Sequence, residues 1–449
     1  MRIIIIGAGE LGQLVAVKLS ALQHDVTVVD MMSEELDRMR SSLDAMLLEG
    51  AGTSVETLKK AGAQNADVLM ALSGDEAANI LACQIAKRLG TKQTICRIYS
   101  KGIFSEEDGI TAENLGIDTT FSSIDESVEL IQNVLHSHIL HEQITFLNPN
   151  ARIAIVSVPL NSEISNVPVK ELPCRDLLEK IRFAAVVRDN TLLVPHGDTV
   201  LQPGDRIYIS GKSDDVEAFV SWLSDTANDP VRRIVIGGLT PASLRLIDYL
   251  VKHGMDVRVV ESDHVKAERA LASLPKGVAV IQGDSTNAGI LDEADVSGCD
   301  AFVAMTDKDE NNILACLLAS RIGSKKVIAL TGKPEYIGIL PALEMKGCWF
   351  NSTQIAANAI FRLMAGETVR VDSELQKLNA RLVELHLTSK SNYAGKSIIE
   401  CAFPEGLLLA LLLRGDSVIA PTGSTILHPN DTLIVIADTS VIRKVKAYL

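Results

Sequence analysis

The stretch IIIIGAGELGQL, residues 3–14, runs four isoleucines into a glycine turn. Gly7, Gly9 and Gly12 complete G-x-G-x-x-G directly after this apolar run. In a strand–turn–helix setting the first glycine permits the tight turn. The second leaves room for a pyrophosphate to approach, and the third lets helix and strand pack closely. A helix starting near Glu10 points unpaired N–H groups and its positive dipole end at the turn. Ala8, Glu10 and Leu11 therefore join the three glycines as a candidate phosphate cradle. Asp30 closes the next apolar run, DVTVVD, 21 residues after Gly9. A carboxylate there accepts hydrogen bonds from a ribose diol and repels a 2′-phosphate, which favours NAD(H) over NADP(H).

Outward from the turn, apolar strands and helices alternate. Strands are expected at 2–6, 25–29, 45–48, 67–72 and 93–98, with helices such as 11–22 and 76–89 between them. Near-continuous apolar strands with helical connections indicate a parallel sheet covered on both faces, a Rossmann-like unit. Ligands in such sheets bind at the carboxyl edge. That places Gly52 and Thr53 of GAGTSV (50–55) beside an adenine, and Ser73 and Gly74 of LSGDEAAN (72–79) at the rim. Arg97 ends the fifth strand, where it reads either as a phosphate clamp or as a partner of a local carboxylate.

The pattern recurs. IVIGGLTPASLRLIDYL (234–250) repeats residues 3–19, with Gly237 set against Gly7. DVRVVE (256–261) repeats DVTVVD, and CDAFVAMTDKDENNILACLLASRIG (299–323) repeats ADVLMALSGDEAANILACQIAKRLG (66–90). A second, independent repeat pairs PHGDTVLQPGD (195–205) with PTGSTILHPND (421–431), both P-x-G-x-T-x-L-x-P-x-D. The order is A-B-A-B, a tandem duplication. Unit B, with segments such as ARIAIVSV, FAAVVRD and DRIYISG and one helix near 168–180, reads as a small α+β unit. Ser122–His138, apolar at helical spacing, reads as the link from the first A to the first B, and SDTANDPV (224–231) as the boundary between halves. The resulting divisions are 1–140, 141–226, 227–370 and 371–449. Arg188 and Arg414 hold matching places in the B units and read as turn ion pairs.

The second A unit departs from the first. In GGLTPAS (237–243), Gly237 and Gly238 remain, but Leu239 stands where the second glycine is expected. Pro241 suits a first helical turn. Glu261 keeps the ribose-reading acid, Asp284 in QGDST is a candidate for facing an adenine, and Leu330 replaces the arginine. Either a second nucleotide site, of mononucleotide size, or an unfilled Rossmann unit fits these residues.

Composition narrows the class. The chain has 449 residues, 47% hydrophobic and 22% charged, with a net charge of −14. That balance suits a globular protein and argues against a nucleic-acid binder, which needs a basic face. MRIIIIGAG is no signal peptide, and no apolar run reaches the ~18 residues of a membrane span; LLLALLLRG (407–415) reads as a buried strand. The seven cysteines form no C-x-x-C and read as reduced core residues of a cytoplasmic protein. The catalytic side is empty. His136, His138 and His141 form H-x-H-x2-H, a spacing that does not face one way on a helix. No Ser-His-Asp order, H-E-x-x-H or G-K-[ST] appears, and no clear proton donor accompanies the nicotinamide site. The chain reads as non-enzymatic and metal-free.

With IIIIGAGELG, DVTVVD, GAGTSVETLKKAGAQNADVLMALSGDEAANILACQIAK and the paired P-x-G-x-T-x-L-x-P-x-D turns together, the chain resembles the K⁺-transport regulators of the Trk type, with tandem RCK (KTN) units, over essentially its whole length. The resemblance implies an α/β fold of two Rossmann-like parallel-sheet domains (RCK-N), each followed by a small α+β domain (RCK-C). It implies NAD(H), and also ATP or ADP, as ligands that change ring shape, and a homotetramer forming a ring of eight RCK units. It further implies a cytoplasmic protein bound peripherally to an integral membrane K⁺-translocating subunit. Two rivals stay open: the regulatory module of another cation transporter or antiporter, and an NAD-dependent dehydrogenase.

Overall fold

A computed structural model describes residues 1–40, 43–99, 103–105, 109–135, 139–146, 148, 150–189, 191–227, 231–336, 347–364, 372–374, 381–389, 391–404, 406–437, 441 and 445. The first sheet contains β1 (Arg2–Ile6), β2 (Asp25–Asp30), β3 (Met46–Glu49), β4 (Val68–Ala71), β5 (Gln93–Ile98) and β6 (Thr119–Ser122). All pairs are parallel, in the order β3-β2-β1-β4-β5-β6. The four isoleucines explain why β1 is central. Ile3 and Ile5 enter one core, Ile4 and Ile6 the other, and all are buried. A strand apolar on both sides is stable only with helices on both faces. Those helices are α1 (Glu10–Ala21), α2 (Ser33–Met39), α3 (Val55–Lys60) and α4 (Glu76–Leu89). The sixth strand, TTFS, escapes the sequence pattern because it is short and only partly apolar.

After β6 come α5 (Ser123–Leu135) and a five-stranded antiparallel sheet: β7 (Leu140–Thr145), β8 (Ala151–Ser157), β9 (Ile181–Arg188), β10 (Thr191–Leu193) and β11 (Arg206–Lys212), ordered β10-β9-β11-β8-β7. The helix expected near 168–180 is not formed as such. A 3-10 turn at Val169–Glu171 and a four-residue helix, α6 (Arg175–Leu178), stand in its place. Pro168 and Pro173 remove the donors that a continuous helix needs. Helix α7 (Ser213–Ala227) closes the unit.

The second half repeats the plan. β12 (Arg233–Gly237), α8 (Pro241–Lys252), β13 (Asp256–Glu261), α9 (His264–Ser273), β14 (Ala279–Gln282), α10 (Ala288–Glu293), β15 (Ala301–Ala304), α11 (Asp309–Ile322), β16 (Lys326–Thr331) and β17 (Gly347–Asn351) form the second Rossmann unit. Its sheet is again six-stranded and parallel, β14-β13-β12-β15-β16-β17. Then follow α12 (Ser352–Leu363), β18 (Asp372–Glu374), β19 (Arg381–His386), β20 (Leu408–Arg414), β21 (Ser417–Ile419) and β22 (Thr432–Ala437), the last five antiparallel as β18-β19-β22-β20-β21. Among the described residues no helix is long and apolar enough to cross a membrane.

The halves exchange helices. Val128, Ile131, Val134 and Leu135 of α5 pack with Ile234, Ile236, Leu246 and Ile247 of the second unit. Conversely, Ala356, Ala357, Ile360 and Phe361 of α12 pack with Ile3, Ile5, Val15 and Leu19 of the first. The small residues of IAANAI let α12 lie close against α1. Arg362 of α12 pairs with Glu126 of α5, and Arg245 of α8 lies 3.8 Å from Asp125. The link expected at 122–138 is thus a helix that covers the other half; its last residues, 136–138, lie outside the described set, as do 228–230 of the boundary segment. The antiparallel sheets share a core as well, with Ile153, Ala185 and Tyr208 against Leu411, Ile434 and Ile436. Ser210 Oγ donates to the Ala410 carbonyl at 2.7 Å.

The second repeat is explained by one ion pair per small unit, a part-exposed arginine on a buried aspartate. Arg188 donates twice to Asp205 at 2.6 and 2.8 Å, and Arg414 twice to Asp431 at 2.8 Å. Each carboxylate also accepts from the turn backbone, at Gln202 and His428. Burial alone would raise Asp431; the Arg414 and His428 donors more than offset it, and its pKa is held below the usual aspartate value.

Candidate nucleotide-binding site

The glycine turn has the conformation its spacing requires. Gly7 sits at φ +103, and a Cβ there would meet Ser73 Cα and N at 2.9 Å. A Cβ on Gly12 would lie 1.9 Å from the Gly7 carbonyl oxygen, so α1 can dock on the turn only without one. Gly9 differs, because nothing lies within 4 Å of its Cβ position. It is the N-cap of α1, and no side chain caps the helix. The first helical N–H groups are therefore left for an external acceptor.

That end of α1 opens on a cavity of about 510 Å³. The first unit lines it with Gly7, Gly9, Glu10, Leu11, Asp30, Met32, Glu35, Leu72, Ser73, Gly74, Arg97 and Ser123. The second unit contributes Gly332, Ser352, Thr353 and Ala356. Three helix starts converge here, those of α1, α5 (Ser123) and α12 (Ser352). Each presents the positive end of a dipole, which makes the cavity attractive to anions despite the acidic chain.

Asp30 is held by its own turn. Its Oδ2 accepts from Ala8 N at 2.6 Å and its Oδ1 from Met32 N at 2.8 Å. Two backbone donors fix the carboxylate at the rim and leave it lone pairs for a diol. Ser73 is oriented by Asn79, whose Oδ1 accepts from Ser73 N and Oγ at 3.0 and 2.7 Å. The Gly74 carbonyl accepts from Tyr99 Oη at 2.6 Å. Arg97 has no carboxylate partner among the described residues. It donates to the Leu72 carbonyl at 3.3 Å and Ser123 Oγ at 3.4 Å, lies over the Tyr99 ring, and leaves its buried Nε without an acceptor. Burial pushes its pKa down from the ordinary arginine value. The structure thus offers none of the carboxylate pairing that was the other reading of this residue. A desolvated cation beside uncapped helix N–H groups fits a phosphate.

Other expected residues play different parts. Ala8 is buried and acts through its N–H to Asp30. Gly52 and Thr53 do not line the cavity. A Cβ at Gly52 would fall 2.2 Å from Ile6 Cγ2, so this glycine serves packing on β1. Sequence reasoning missed Met32, Glu35, Leu72 and Ser123, and with them the whole wall from the second unit. Equivalent serines at the starts of α5 and α12 were the one available signal.

The second turn requires a correction of register. Gly238, at φ +98, is the counterpart of Gly7. Its N–H reaches the Val260 carbonyl at 2.8 Å as Gly7 reaches Val29 at 2.9 Å, and its Cβ position abuts Thr306 as that of Gly7 abuts Ser73. Gly237 therefore matches Ile6, Leu239 matches Ala8, and Thr240 stands at the second glycine's place. The hydroxyl of Thr240 accepts from Ser243 N at 3.2 Å and Ser243 Oγ accepts from Thr240 N at 2.8 Å, a capping box with Pro241 behind it. Helix α8 thereby satisfies its own first donors. Glu261 accepts from Leu239 N and Asp263 N at 2.6 and 2.8 Å, the same two bonds that Asp30 accepts, but it is buried where Asp30 stands at the cavity rim. Asp284 accepts from Thr286 N and Oγ1 at 2.8 Å within its own loop. Leu330 brings no cation.

His136 and His138 lie outside the described residues, among which no group of three or more His, Cys, Asp or Glu could hold a metal. None of the seven cysteines is in a disulfide.

Two family profiles cover most of the chain. The TrkA-N domain matches residues 3–123 and 234–346, and the TrkA-C domain matches 153–224 and 382–449. The chain belongs to the TrkA family. Similar TrkA proteins include the Trk system potassium uptake protein TrkA homolog 1 of Methanosarcina mazei, 28% identical with 100% of both chains covered. The Trk system potassium uptake protein TrkA of Halomonas elongata is 27% identical over 99% of this chain and 98% of that protein. Among solved structures, the GsuK RCK domain aligns with 100% of this chain and 94% of its own, at TM-score 0.60 and 15% identity. A GsuK channel bound to NAD aligns at TM-score 0.60 and 16% identity, over 100% of this chain and 78% of that one. At such identities the likeness is one of fold: the TrkA chain carries two RCK repeats, each with a Rossmann-like and a small antiparallel part.

Proposed function

We propose that this TrkA-family chain is the cytoplasmic nucleotide-sensing subunit of a Trk-type K⁺ uptake system, and that it performs no chemistry on what it holds. Its natural divisions are 1–140, 141–226, 227–370 and 371–449. The first Rossmann unit takes NAD(H), with ATP or ADP as competing ligands. Gly7, Gly9, Glu10 and Leu11 present backbone donors to the phosphates, Arg97 clamps them, and Asp30 takes the ribose. The second unit, with its capped turn, its buried Glu261 and its loop-bonded Asp284, is the scaffold that completes the first site.

One observation carries the reading: the cavity at the uncapped start of α1 contains a half-buried arginine without an acid partner among the described residues, and its far wall is Ser352 and Thr353 of the other half. A ligand there touches both halves, so its affinity depends on their relative position. By linkage, binding then shifts that position. Four chains forming a ring of eight RCK units would transmit the shift to an integral membrane K⁺-translocating subunit at the inner face of the membrane. Equivalently placed exposed leucines, Leu81 on α4 and Leu314 on α11, support such assembly.

Calorimetry with NADH on the full chain tests the site. Arg97→Met and Asp30→Ala should each weaken binding by at least tenfold, about 1.4 kcal/mol; undiminished binding in both contradicts it. Co-purification of a membrane K⁺ subunit that is lost on deleting the chain tests the partner.

A further inference from the structure

Glu10 is the first of the two residues between the second and third glycines of the turn, and the first of α1. An acid at that position suits the helix dipole. Here it also lines a cavity whose other features attract anions. It is not alone. Glu35 of α2 lines the same cavity, and Asp309 and Glu335 of the second unit act on Glu10 through their charge. Asp309 is fixed there by accepting from Gly332 N at 2.9 Å and Lys333 N at 2.8 Å. Of the cations beside these acids, Lys333 pairs with Glu310 at 2.8 Å, and Arg38 pairs with Glu35 itself at 3.0 Å and offsets part of its charge. Burial first, then Asp309, Glu335 and Glu35, push the Glu10 carboxyl above the usual glutamate value, against the pull of Lys333. Arg97 on β5 and Asp30 on β2 are the remaining charged groups on the cavity wall.

We propose that Glu10 is a specificity-determining residue: backed by Glu35, Asp309 and Glu335, its carboxylate ranks ligands by phosphate charge and favours a dinucleotide diphosphate over a nucleoside triphosphate. This rests on the reading that the first unit holds a nucleotide. The helix ends and Arg97 attract both ligand classes. The repulsive acids act in proportion to ligand charge, about two for a dinucleotide and up to about four for a free triphosphate. A carboxylate several ångströms away then costs the triphosphate roughly twice as much. Protonating Glu10 removes that cost, so the triphosphate gains relative to the dinucleotide as pH falls.

The experiment is calorimetric titration of the full chain with NADH and with ATP in magnesium-free buffer, wild type against Glu10→Gln, at a series of pH values. Loss of one charge should tighten NADH about threefold and ATP about tenfold, shifting the ratio about threefold. The wild-type ATP-to-NADH affinity ratio should rise as pH is lowered, more steeply than in E10Q, since protonation of ATP itself is common to both. Glu335→Gln, on the other half, should shift the ratio the same way by less, and serves if E10Q does not fold. An unchanged ratio in both variants, or equal gains for both ligands, overturns the proposal while leaving the nucleotide site intact. A wild-type chain that binds neither ligand overturns the nucleotide reading itself, and this proposal with it.

Discussion

At the scale of single residues, the three glycines of the turn look alike in sequence and are not alike in the fold. Gly12 is required by packing, since a methyl group would collide with the Gly7 carbonyl at 1.9 Å. Gly9 faces open space. Gly12→Ala should therefore cost several kcal/mol and lower the thermal midpoint clearly. Gly9→Ala should cost about 1 kcal/mol or less in stability while weakening NADH binding, because its methyl group projects toward the phosphate cradle. Thermal melts and titrations of the two variants check this; equal destabilisation would contradict it. Gly7, Gly12 and Asp30 were legible because each follows from a local backbone need, whereas Gly9 follows only from the ligand expected beside it. The register of the second turn was not. Two adjacent glycines, Gly237 and Gly238, can each be set against Gly7, and only the pairing of β12 with β13 selects Gly238. Arg97 was legible as a cation at a strand end, whereas its lack of a carboxylate depended on the neighbours brought in by folding.

At the scale of elements, strand–helix alternation read well where apolar runs were long. It failed at 168–180, where two prolines outweigh the helical spacing, and at TTFS, too short to register. What an amphipathic helix covers was also illegible: the apolar face of α5 shows that it is buried, not against which sheet. One contact reports on that docking. Lys326 of β16 is buried, and its Nζ donates to the carbonyls of Val134, in the last turn of α5, at 2.8 Å, and of Leu140, at the start of β7. Burial lowers its pKa from 10.5 to about 8, with Cys348 opposing. The unfolded chain thus holds more protons between those pH values, so this group's contribution to stability rises with pH from about 8 to 10.5. Relative to Lys326→Met, the wild type should gain about 3 kcal/mol across that window. Denaturant unfolding of both at pH 7.5 and 10.5 measures it; parallel pH curves would show that Lys326 titrates normally.

At the scale of the whole molecule, duplication has produced two halves that are no longer equivalent. One turn keeps its helix start uncapped; the other has closed it with Thr240 and Ser243. The A-B-A-B order was plain in the sequence because both repeats recur in step. The shared cavity was not, because Ser352 and Thr353 reach the first unit only through the exchange of α5 and α12. The account comes down to a single asymmetric site held jointly by the two halves. Counting NADH bound per full-length chain at saturation tests it most directly. One per chain, with affinity at least tenfold weaker in Arg97→Met and unchanged in Glu261→Gln in a folded protein, is the predicted result. Two per chain, or one that is undiminished in Arg97→Met and disappears with Glu261→Gln, would contradict it.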